Sequence, residues 1–141
     1  MRNVKIYHPP GRDAPMETFM NSLNEKLRRK LCRQLLLLAN TPLCDLKEPH
    51  YKHFALERYN RFYELREKNK ILVRVIFTIC GEDIILLVPF VKRQPRDTMR
   101  ALEASRSMLA AIREHPEYAV LFDCGKAIAR RNTNQLSGGT E

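Results

Sequence analysis

The chain has no cysteine pair at metal or redox spacing, no apolar run of membrane-spanning length and no internal repeat. Cys32, Cys44, Cys80 and Cys124 lie far apart and form no C-x-x-C. That spacing speaks against a zinc site or a disulfide-stapled fold. The four are read as reduced thiols, with Cys80 packed as a small hydrophobe. His50 and His53 form an H-x-x-H without the further ligands a metal needs, so they read as polar loop residues and no cofactor is expected. The longest apolar stretches, Leu35–Ala39 and Ile84–Phe90, are core-sized and far short of the ~20 residues of a spanning helix. Met1-Arg2-Asn3-Val4-Lys5 leads into a strand-like run and not into an apolar signal core. A cytoplasmic protein without a membrane partner is therefore expected.

What is present is a basic globular chain. Its 141 residues suit one domain, 44% are hydrophobic, and the formal net charge is +9. Such an excess favours a polyanionic partner, nucleic acid before an anionic membrane surface. Val4–Tyr7 reads as a short strand ended by His8-Pro9-Pro10-Gly11. Asp13-Ala14-Pro15 starts a helix whose stripe is Met16, Phe19, Met20 and Leu23. A second helix begins near Asn24, buries Leu27, Leu31, Leu35 and Leu38, and ends at Thr41-Pro42. Its outer faces carry Lys26, Arg28, Arg29, Lys30 and Arg33. Cys44–Asn60 reads as an irregular connector. Arg61–Glu67, Ile71–Ile79 and Ile84–Val91 then form a three-stranded antiparallel meander, with Gly81-Glu82-Asp83 as its second turn. Pro95 opens a last helix with Met99, Leu102, Leu109 and Ile112 as its core face, closed by His115-Pro116. Tyr118–Phe122 adds a short packed segment. The expected class is α+β, a small antiparallel sheet with two early helices packed on it and a C-terminal helix. One domain spans residues 1–129, and a polar tail with the Arg130-Arg131 pair is expected to be disordered.

Side chains alternate across a strand, so faces follow from numbering. Phe62, Glu64 and Arg66 share a face, opposite Tyr63 and Leu65. Leu72, Arg74 and Ile76 share one, and so do Leu86, Val88, Phe90 and Lys92. Centring the second hairpin on Glu82 sets Arg74 opposite Phe90 and Lys92 opposite Leu72. Centring the first on Asn69 sets Glu64 opposite Arg74 and Arg66 opposite Leu72. Glu64, Arg66, Arg74, Phe90 and Lys92 then share one face, provided neither hairpin slips. Arg74 is the most informative residue, because it interrupts an apolar strand where an unpaired charge is costly. It is either a structural partner of Glu64 or an anion site whose planar fork suits phosphate.

Tyr63-Glu64-Leu65-Arg66, then Arg74 inside a β-branched strand, then Phe90-Val91-Lys92-Arg93 before Pro95 and a helix, resembles the RelE/HigB toxin superfamily, most closely its phage-derived HigB-like branch. The likeness spans roughly Asp13 to Glu114. It implies a RelE-like fold and a type II toxin–antitoxin toxin that cuts mRNA, typically on the ribosome, without a metal. In that chemistry the RNA's own 2′-hydroxyl attacks the adjacent phosphate, which needs a base, an acid and cations around the phosphorane. By matching position, Arg66, Arg74 and Lys92 would bind phosphate and stabilise charge, with Arg93 in support. Relatives often carry His or Tyr at the end of the last strand, where this chain has Val88-Pro89-Phe90. Glu64, His53, Tyr63 and Lys92 remain as base or acid candidates, Glu64 being equally suited to pairing with Arg74. Lys26, Arg29, Lys30 and His53 are candidate RNA contacts, although a charged helix face is as readily a solvated one. The expected partners are a cognate antitoxin, of helix-turn-helix type, together with mRNA and the ribosome. The competing expectation is a non-catalytic module of the same fold that binds nucleic acid or a partner protein.

Overall fold

The computed structural model describes residues 1–124; the tail from Arg130 and the boundary at residue 129 lie outside them. Strand β1 (Asn3–Tyr7) leads into helix α1 (Pro15–Ser22) and then helix α2 (Glu25–Asn40). Pro15 at the first helical position fixes φ where no internal N–H partner is needed. Asn24 caps α2, its side chain accepting from Leu27 N at 2.8 Å. Leu27, Leu31, Leu35 and Leu38 form the α2 stripe and are all but fully buried. Each contributes about 1.5–3 kcal/mol by leaving water. The run Leu35–Ala39 is not uniformly core. Leu36 and Leu37 point out, as a 3.6-residue period demands.

Strands β2 (Tyr51–His53), β3 (Phe62–Asn69), β4 (Ile71–Cys80) and β5 (Asp83–Val91) follow, then helix α3 (Arg96–Glu114) and strand β6 (Ala119–Leu121). They build one six-stranded sheet in the order β2-β3-β4-β5-β1-β6. The α+β architecture and the meander agree with the sequence reading, but the sheet is wider. The segment read as an irregular connector supplies edge strand β2, antiparallel to β3. Strand β1 joins β5 in parallel, and β6 adds antiparallel to β1. Three-residue strands such as β2 and β6 are too short to announce themselves by alternation.

Two apolar cores sit on the two faces. Helices α1 and α2 cover the first, packing on Ile6, Leu65, Val73, Val75, Phe77, Ile84 and Leu86. Helix α3 covers part of the second, packing on Phe62, Ile76, Ile85 and Leu87. Leu86 is a correction, since it was grouped with Val88 and Phe90. A bulge at Leu87 shifts the register between Ile76↔Val88 and Phe77↔Leu86, which turns Leu86 to the α1/α2 side. Met99 is a second correction, 46% exposed. It lies about 100° off the stripe formed by Ala101, Leu102, Ser105, Leu109 and Ile112, on which Thr98 takes its place. Cys80 is exposed at a hairpin tip, whereas Cys32 and Cys124 are the buried thiols. Arg28, read as a surface charge, is buried and donates from Nη1 to Leu23 O at 3.2 Å.

The first hairpin pivots on Lys70, whose φ is +66°, and not on Asn69. Pairing therefore runs Arg66↔Arg74 and Glu64↔Ile76, not Glu64↔Arg74 and Arg66↔Leu72 as expected. Moving the pivot by one residue moves the pairing by two. Two is an even step, so every side chain keeps its face.

Candidate functional site

Helix α3 leaves the β3–β4 end of its face open, and the charged side chains stand there. Arg66 and Arg74 are direct cross-strand partners, and Phe90 is the partner of Arg74 on β5. Opposed like charges repel at cross-strand distances of about 4.5–5.5 Å. Glu64, two residues before Arg66 and on the same face, answers the repulsion. Its Oε1 accepts from Arg66 Nε at 2.9 Å and lies 3.5 Å from Arg74 Nε. The carboxylate is 1% exposed, whereas Arg66 and Arg74 are 24% and 12% exposed. Arg74 Nη1 donates to Val73 O at 3.2 Å. The exposed Glu48 forms a looser ion pair with Arg66 Nη1 at 3.8 Å. Two guanidiniums thus share one oxygen of one buried carboxylate, with Glu48 as a second partner of Arg66. Burial pulls Arg74 below the ordinary arginine range, Glu64 opposes that, and Arg66 adds to it. An incoming anion would relieve the like-charge pair and replace part of the lost hydration.

Lys92 continues the ladder, its backbone N donating to Leu72 O at 2.8 Å. It follows Phe90 on the same face, one row beyond Arg74. Arg93 is exposed next to it, and its backbone N donates to Asp97 Oδ2 at 2.8 Å. That bond and a second from Gln94 hold the Asp97 carboxyl below its usual range and fix the turn into α3. Of the nine candidate residues, Glu64, Arg66, Arg74, Lys92 and Arg93 are thus gathered at one end of one face.

The other four are not. His53 pairs with Tyr63 across β2 and β3, so it faces the α1/α2 side. There its ring lies 4.6 Å from Tyr63, which stacks on Phe77, and its Nε2 is 2.6 Å from Asn60 O. Lys26, Arg29 and Lys30 ride on α2, also across the sheet from the cluster, and Arg29 is paired with Glu25 at 2.7 Å. Tyr63, considered as a base, is likewise on that far face.

Sequence reasoning missed the residues that β2 contributes. Lys52 pairs with Glu64, and its Nζ sits 5.5 Å over the Phe54 ring. One row on, the backbone N of Arg66 donates to His50 O at 2.8 Å, which sets His50 across from Arg66. His50 is exposed. The alternation Tyr51-Lys52-His53, with Tyr51 buried, was the signal, but three residues between turns are too few to read. Also missed was a groove of about 410 Å³ between α3 and the segment entering β3, lined by Arg58, Arg61, Arg106 and Arg113 over Phe62 and Leu109.

Among the described residues no group of His, Cys, Asp or Glu is arranged to hold a metal ion. No described helix is long and apolar enough to cross a membrane. No curated protein and no solved structure matches the chain. One family model does, over residues 18–113, from α1 to the end of α3 and so across every strand of the charged face. The chain belongs to the family described as Phage derived protein Gp49-like (DUF891).

Proposed function

We propose that this protein is a toxin of a toxin–antitoxin pair that cleaves mRNA at the Arg66–Arg74 face. The observation that carries the reading is the direct cross-strand pairing of two guanidiniums that share one oxygen of one buried carboxylate. With Lys52 and Lys92 on the same face as Arg66 and Arg74, cations there outnumber the buried Glu64 and its exposed companion Glu48 among the described residues. The Gp49-like family is commonly associated with toxins of such systems, which supports the same reading.

The chemistry needs no group beyond the chain and its RNA. The 2′-hydroxyl oxygen bonds to the adjacent phosphorus and loses its proton. The bond from phosphorus to the 5′-oxygen breaks, and that oxygen gains a proton. Arg66, Arg74 and Lys92 stabilise the charge that builds on the phosphorane. Glu64 acts as a positioning residue, because its Oε1 is engaged by both arginines and its Oε2 is buried. His50, across from Arg66 on the same face, is the group placed to take the first proton. A basic face of this kind also fits an inhibitory antitoxin segment rich in carboxylates.

The ends of the RNA products test this chemistry. Purified toxin acting on translating ribosomes should leave 2′,3′-cyclic phosphate or 3′-phosphate ends, and cleavage should persist in EDTA with polyamine holding the ribosomes together. Products ending in 3′-hydroxyl would mean that water or a metal-bound nucleophile made the cut. A second reading, binding without cleavage, is favoured by Val88-Pro89-Phe90, a stretch that itself supplies no proton-transferring side chain opposite Arg74. Wild-type protein that binds RNA tightly yet leaves it intact would establish that reading.

A further inference from the structure

The arginine groove lies on the α3 side of the sheet, the side of the Arg66–Arg74 pair, and shares strand β3 with it. The carboxylate of Glu103, beside the groove, is heavily engaged. Arg58 donates to it from Nη2 at 2.6 Å and from Nε at 3.3 Å, Tyr59 Oη donates at 3.1 Å, and Arg106 Nη1 donates at 3.3 Å. Glu103 therefore orders Arg58 and Arg106 along the wall without neutralising the groove. Arg61 and Arg113 face it with no carboxylate partner among the described residues. The floor is closed, Phe62 being 2% and Leu109 5% exposed. An amphipathic helix docks by burying apolar anchors in open pockets, and this floor offers none. What the groove offers is a ladder of planar cationic forks, which suits a polyanion.

Phe62 in the groove and Arg66 in the cluster are four residues apart on one strand, about 13 Å at ~3.3 Å per residue. A single RNA strand covers that distance in a few nucleotides. We propose that the Arg58–Arg61–Arg106–Arg113 groove is a second phosphate-binding site, which holds the backbone of the same RNA strand a few nucleotides from the Arg66–Arg74 pair. The inference rests on the RNA-directed part of the reading above, and its test does not depend on cleavage.

The test compares wild-type protein with Arg61→Glu/Arg113→Glu and with the milder Arg61→Gln/Arg113→Gln, each checked for an unchanged melting curve. The probes are fully 2′-O-methylated RNA oligonucleotides, which lack the nucleophile, one of four nucleotides and one of twenty. The twenty-mer should bind the glutamine variant about tenfold more weakly than wild type, and the glutamate variant more weakly still. The four-mer should bind all three proteins alike. The slope of log K against log salt for the twenty-mer should shrink by about 1.4, the value for two lost single-strand phosphate contacts. Equal twenty-mer affinity and equal slope in all three proteins would overturn the proposal, whether or not wild type cleaves RNA. Unchanged RNA binding with weakened binding of poly-glutamate would overturn it in favour of an acidic protein partner. A loss confined to the twenty-mer in a protein that cleaves nothing would uphold the groove and remove the nuclease.

Discussion

The two faces of the sheet are made from the same strands and differ in what covers them. On the α1/α2 side, Leu65, Val73, Val75, Phe77 and Leu86 are all fully buried. On the α3 side, Phe62, Ile76 and Leu87 are just as buried, but Glu64 stands in the row of Ile76 and the next row holds Arg66 and Arg74. A charge inside an apolar strand thus marks the row where the covering helix stops. One face supplies stability and the other gives up some of it to keep two guanidiniums half-desolvated. Residues on the first face should then govern folding, and residues at the open end of the second should govern binding and rate.

That division can be broken by substitution. Leu35→Ala, in the α2 stripe, should cost about 2–5 kcal/mol of stability through lost burial and a cavity. Chemical denaturation measures it, and folded variant should keep its RNA affinity. Glu64→Gln removes the shared carboxylate and leaves Arg66 facing Arg74. The cost should be about 2–3 kcal/mol, below the range for a fully buried pair because both arginines still reach water. Tight phosphate binding in the same variant should raise its melting temperature by more than in wild type, since the anion replaces the missing charge. An Arg pair serving only structure would give no such difference. Lys70→Gly should stabilise by up to about 1 kcal/mol, since Lys70 holds φ at +66° in a region that glycine occupies freely.

Glu103 gives a pH-dependent version of the contrast. Arg58 chiefly, with Tyr59 and Arg106, lowers its carboxyl from 4.5 to about 2. A depressed folded-state value contributes stability that is present above the unfolded value and is lost as pH falls towards the folded one. Stability should therefore decline between pH 4.5 and 2 more steeply in wild type than in Glu103→Gln, read from thermal melts across that range. The smallest effect is expected from Lys26→Ala with Lys30→Ala. These side chains stand across the sheet from the cluster, so binding of short RNA should hardly change.

Much of this was legible in the residues. Leu27, Leu31, Leu35 and Leu38 recur at helical spacing and are buried as a stripe. Arg74 stood out because its neighbours Val73, Val75 and Ile76 are apolar. The cluster's shared face also survived an error in register, because the pivot moved from Asn69 to Lys70 and the pairing moved by an even step. What was not legible had local causes. Asparagine tolerates the left-handed region better than lysine does, so Lys70 was not an obvious pivot. A bulge at Leu87 reverses alternation within an unbroken apolar run, where no polar residue records the change. Strand β2 is three residues long, and without it His50 and Lys52 cannot be assigned to a face. The arginine groove joins residues 58–62 to residues 106–113, a contact set by how α3 crosses the sheet and not by any local pattern.

The central claim is that Arg74 acts by binding phosphate through its fork, and Arg74→Lys tests it most directly. An ammonium keeps the charge and loses the two-pronged geometry. Single-turnover cleavage by folded Arg74→Lys should fall about 10²–10³-fold, nearly as far as in Arg74→Ala, as expected for loss of one placed transition-state donor. Both variants should also relieve growth arrest when induced to the wild-type level. A folded Arg74→Ala that cleaves at the wild-type rate and still arrests growth would make Arg74 a structural ion-pair residue and place the active site elsewhere.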